Sequence, residues 1–141
     1  MIHEHRNAVP QTPTALQAEY ETALARRLDE TGVARAAAET GIDRDRLEAL
    51  AAGDPPTLTV EEALSIQALD PDAPGPEIAM AEARDHLLVG MATAVLDVDT
   101  LAGAIQSNVG PNELQQKIEG RAPLTLGEYA RIQHEIVRRI G

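Results

Sequence analysis

Asn112, Gln115, Gln116, Lys117 and Arg121 come closest, by type and spacing, to residues that do chemistry in this chain. Side-chain amides can bond an adenine edge at two points, and Lys or Arg can contact guanine or a phosphate. The first four lie on a segment, 111–119, that reads as a helix, and Lys117 is the sole lysine of the sequence. A plainly solvated helix face is the competing reading of the same residues. Nothing comparable supports catalysis. His3 and His5 have no third metal ligand nearby, His86 and His134 stand singly on helices, and Ser65 and Ser107 have no base at a recognisable spacing. Glu61 and Glu62 belong to a helix start, where the helix dipole favours acids. The glycines form no phosphate-binding loop, and cysteine is absent. We therefore expect no enzyme, no cofactor and no metal.

The elements that must position these residues are constrained by composition. Among 141 residues, 23 are acidic and 12 basic, for a formal net charge of −11. Tyr20 and Tyr129 are the only aromatics, which removes the stacking platforms used by readers of single-stranded nucleic acid. Apolar content is 43%, much of it alanine, which favours closely packed helices. The charge is uneven: residues 99–141 carry five basic and five acidic side chains, so all of the −11 lies in residues 1–98. Such a surface repels itself, and molar salt, with a Debye length of about 3 Å, relieves the repulsion. The start of the chain lacks the apolar stretch of a signal peptide, and the run Leu87 to Leu96 is too short to span a bilayer. A cytoplasmic protein is expected, without membrane contact.

Residues 1–13 hold two prolines and no periodicity, and read as a loose arm. Thr14 and Gln17 have capping-box spacing, and Leu16, Tyr20, Leu24 and Leu28 form one helical face. Shorter helices are expected at 33–40 and 44–52, joined by a Gly41-Ile42-Asp43 turn. Thr59 and Glu62 open another that reaches Leu69. Three prolines between residues 70 and 77 mark a linker between a first repeat, 14–69, and a second, 78–141. In the second, helices are expected at 78–96, 99–107 and 111–120, with an Asn108-Val109-Gly110 turn, then a last helix opened by Thr125 and Glu128. No stretch alternates as a strand would, so the fold class is all-α.

The halves match internally. An offset of 67 places Tyr20 on Leu87, Leu24 on Met91, Leu28 on Val95, Ala37 on Ala104, Ile42 on Val109 and Leu47 on Leu114. After Gly53 and Gly120 the offset becomes 66, and Leu58, Thr59, Glu62, Ile66 and Gln67 fall on identical residues. We expect two similar four-helix repeats packed as one pseudo-symmetric unit.

The spacing of Ala37, Gly41, Ile42 and Leu47, and of Ala104, Asn108-Val109-Gly110 and Leu114, resembles the helix-turn-helix of phage-repressor-like and antitoxin-like DNA-binding domains. The whole sequence also resembles an uncharacterised family of small acidic haloarchaeal proteins. The first resemblance implies a transcriptional regulator that lays helix 111–119 in the major groove of double-stranded DNA. Repeat one is unsuited to that role, with three arginines against seven acids in residues 31–69. The alternative is a non-enzymatic protein-interaction module that keeps the scaffold without binding DNA. A second copy of the chain is a further admissible partner.

Overall fold

The computed structural model describes residues 1–140, and Gly141 lies outside the described residues. Eight helices account for its regular structure. Pro13, at the first position of α1 (Pro13–Thr31), has no N–H to satisfy, so the cap falls on Thr12, whose hydroxyl accepts from the Ala15 amide at 3.1 Å. The expected Thr14–Gln17 capping box does not form, and Gln17 instead bonds Glu21 at 3.2 Å. Leu16, Tyr20, Leu24 and Leu28 are buried on one face, as their spacing requires. α2 (Val33–Thr40) ends at Gly41, whose φ of 73° is the left-handed conformation glycine accepts without strain. Asp43 then caps α3 (Arg44–Ala51). α4 (Val60–Gln67) opens with the reciprocal Thr59–Glu62 capping box, and Thr125 and Glu128 make the same pair of bonds at the start of α8 (Leu126–Ile140). Between them lie α5 (Pro76–Thr93), α6 (Val98–Ala104) and α7 (Pro111–Ile118). Pro76 draws the start of α5 two residues earlier than the expected linker boundary.

The helices of the two halves interleave. α1 packs on α8 as well as on α2, α3 and α4, and α5 packs on α4, α7 and α8. The two capping-box corners meet directly: the Val60 amide donates to the Leu124 carbonyl and the Leu126 amide to the Leu58 carbonyl, both at 2.8 Å. These are residues matched at offset 66, and the exchange is reciprocal. At the helix pair before this corner the matching fails. Leu28 is fully buried, but Val95 is 91% exposed. α5 stops at Thr93, the chain turns through Val95 at φ 53°, and Leu96 takes the buried place. The turn after α6 is made by Gln106, at φ 52°, rather than by Asn108 to Gly110. Leu101 and Ala102 are buried there, whereas Ala104 is exposed.

The arm also differs from expectation. Ile2 and His3 are 2% and 5% exposed, and the arm lies against α1, α4, α5 and α8. The partners of Ile2 and His3 are 64 or more residues away in sequence, so no local pattern announces them. Among the described residues, no single helix is long and apolar enough to cross a membrane.

Candidate functional site

α7 forms because Pro111 starts it and Leu114 and Ile118, one turn apart, bury against the body. This leaves Asn112, Gln115 and Gln116 exposed, the first and last with no side-chain hydrogen-bond partner among the described residues. Gln115 donates to Glu119 at 2.6 Å, and Arg121 pairs with the same carboxylate at 2.5 Å. Lys117 does not face outward with them. Its side chain is 14% exposed, and Nζ donates to both oxygens of Glu128, at 2.9 and 2.8 Å. Glu128 also closes the capping box of α8, so Lys117 is held by the fold. Arg46 plays the same part for Glu62 in the first half, at 2.5 and 3.0 Å, and adds a bond to the Thr57 carbonyl. With Lys117 neutralised, α7 and its C-terminal turn present Glu113 and Glu119 against Arg121 alone.

Burial pushes the Glu128 carboxyl up, but the Lys117 ammonium and the Thr125 amide outweigh it and hold the group below the usual carboxylate range. Glu62 is likewise held low, first by Arg46, against a smaller effect of burial. A depressed carboxylate stabilises the fold above its unfolded value, about 4.3, and that contribution is lost as pH falls through the lower folded value. Tm, followed by circular dichroism at fixed salt, should therefore drop below about pH 4.3. Glu128→Gln should be less stable at neutral pH and lose less on acidification. An equal acid slope in both proteins would contradict the assignment.

A second constellation surrounds the arm. The Ile2 amide donates to Gln67 Oε1 at 2.9 Å, and its carbonyl accepts from the Tyr129 hydroxyl at 2.9 Å. Gln67 Nε2 donates to His3 Nδ1 at 2.8 Å, and His86 Nδ1 donates to the His3 carbonyl at 2.7 Å. His134 Nε2 donates to the Pro10 carbonyl at 2.8 Å. Arg6 pairs with Glu19 at 3.2 Å and lies 5.7 Å from the centre of the Tyr20 ring. Burial pushes the Tyr129 phenol far up, so it stays a donor. Sequence reasoning missed this set. The one local signal was an isoleucine at position 2 of an otherwise polar start.

A family described as a family of unknown function (DUF5791) matches residues 16–139. The chain belongs to DUF5791. No curated protein and no solved structure matches it. The DUF5791 match begins at Leu16, so it covers both corners and α7 but leaves the arm outside. Within the DUF5791 region the large exposed apolar residues concentrate on one element: Ile78, Leu88 and Val89 on α5, with Val95 on its C-terminal turn. Ile78, Ala81, Asp85, Leu88 and Ala92 follow the alternating three- and four-residue spacing of a helix-packing stripe, interrupted by one acid. Val95, β-branched and left-handed, holds a strained conformation in full solvent.

Proposed function

We propose that this protein is a non-enzymatic protein-interaction module. The observation that carries the reading is the fate of Lys117. The one lysine of the candidate recognition helix is spent on Glu128, and what remains outside is net acidic, which phosphates repel. The exposed apolar residues gathered on α5 support the same reading, since exposed apolar surface concentrated on one element marks places where proteins dock. The helix-turn-helix regulator reading rests on the exposed amides of Asn112, Gln115 and Gln116, which could read adenine only if another surface supplied the attraction to phosphate. We read the acidic composition as an adaptation to salt, so the test belongs in molar potassium chloride. The full chain is incubated there with a pool of genomic DNA fragments, and the bound fraction is sequenced. No fragment should be enriched. Enrichment of a defined sequence, lost in Gln116→Ala, would overturn the interaction-module reading.

A further inference from the structure

We propose that Arg84 and Arg121 form a binding site for a small carboxylate with a short apolar tail, seated between α5 and the turn that follows α7. Arg84 is the residue that points there. Arg6, Arg46 and Arg121 each hold a glutamate, whereas Arg84 holds none among the described residues. Its Nε is the one buried side-chain nitrogen or oxygen among those residues that has no hydrogen-bond partner. The guanidinium lies against Gly120, where a Cβ would come within 2.6 Å of Nε and 2.7 Å of Nη2. Glycine at 120, with φ 83°, therefore leaves room for the guanidinium as well as making the turn. The Nη nitrogens are not sealed off in this way, and the residue borders an open cavity of about 270 Å³. A cation that has lost part of its water and has no counter-charge attracts an anion more strongly than a fully solvated one does.

The cavity wall sets the class of ligand. Arg84 and Arg121 are its two cations, with the exposed Arg121 shared with Glu119 at the rim. The Ala122 and Leu124 amides, on the same wall, donate to no acceptor among the described residues. Glu61 is the one acid among the lining residues, so their excess is a single positive charge. That suits a carboxylate, which a guanidinium grips through two parallel N–H bonds, better than a phosphate dianion. Met80, Pro123 and Leu124 offer the tail an apolar wall. The volume lies just below the usual range for small-ligand pockets, about 300 Å³ and upward, which limits the tail to a few carbons. Such a group comes either from a free short-chain acid or from the apolar last residue of another chain. The site goes beyond the interaction-module reading and does not depend on it.

Two probes separate the sources: isovalerate, and an acetylated tripeptide that ends in leucine with a free carboxylate. Each is titrated into the full chain at constant chloride and ionic strength, with N–H signals followed by nuclear magnetic resonance. At least one probe should shift the Gly120 and Ala122 amides and the Arg84 Nε–H saturably, and its carboxamide should not. The tighter of the two names the source. Arg84→Met should weaken binding by about tenfold or more, as expected for a lost charge-assisted pair. Glu61→Gln should strengthen it by removing the competing carboxylate. If Arg84→Met loses its helical circular dichroism, Arg121→Ala and Glu61→Gln carry the test, with opposite changes in affinity. No saturable shift from either probe, unchanged affinity in the variants, or tighter binding of inorganic phosphate would overturn the proposal. Arg84 would then be a structural cation at the C-terminal end of α7.

Discussion

Lys117→Met should destabilise the fold by about 1–3 kcal/mol, the usual cost of leaving a partly buried hydrogen-bonded group without its partner. The Glu128 side chain is 12% exposed, and with Lys117 gone it keeps only the Thr125 amide from its capping box. Adding Glu128→Gln should recover much of the loss, since the amide oxygen still caps α8 while no charge remains stranded. Chemical denaturation of the two single variants and the double variant measures this directly. By contrast, Arg121→Ala should change stability by less than about 1 kcal/mol, because its pair with Glu119 is exposed. If Lys117→Met were as stable as the wild type, Lys117 would not be held as the geometry shows and would be free for another role.

Cutting the chain at the 70–75 turn should abolish folding of both halves. α1 would lose α8, α4 would lose α5, and the Leu58–Leu124 and Val60–Leu126 regions would expose the backbone groups they now exchange. Leu16, Leu64, Leu126 and Ile132, all fully buried, belong to one continuous core drawn from both halves. Each half alone should show weak helicity and no cooperative melt, and mixing the two should restore both. Two separate cooperative transitions would refute the shared core.

The parts legible in the sequence are those whose causes lie within one turn of chain. Thr59 with Glu62, Thr125 with Glu128, Gly41, and Asp43 each act on neighbours two to four residues away, and each does what its type dictates. The apolar stripe of α1 was legible for the same reason. The phase of α5 was not. Val95 looked like the mate of Leu28, but the helix ends two residues before it and the turn rotates it into solvent. Lys117 looked free because its partner lies on the next helix, eleven residues on. The arm looked loose because what holds it, Gln67, His86, Tyr129 and His134, comes from three helices distant in sequence. Within the candidate site the sequence showed which side chains could bond, but not which were already bonded.

We propose that this protein works by docking proteins and not by reading DNA with α7. Photo-cross-linking in cells tests it most directly, with a benzophenone amino acid placed at Val89 on α5 in one strain and at Gln116 on α7 in another. Both positions are exposed, so neither substitution should disturb the core. The account predicts discrete protein adducts from position 89 that survive nuclease treatment, and no nucleic-acid adduct from position 116. Nuclease-sensitive adducts from position 116, with none from position 89, would contradict it.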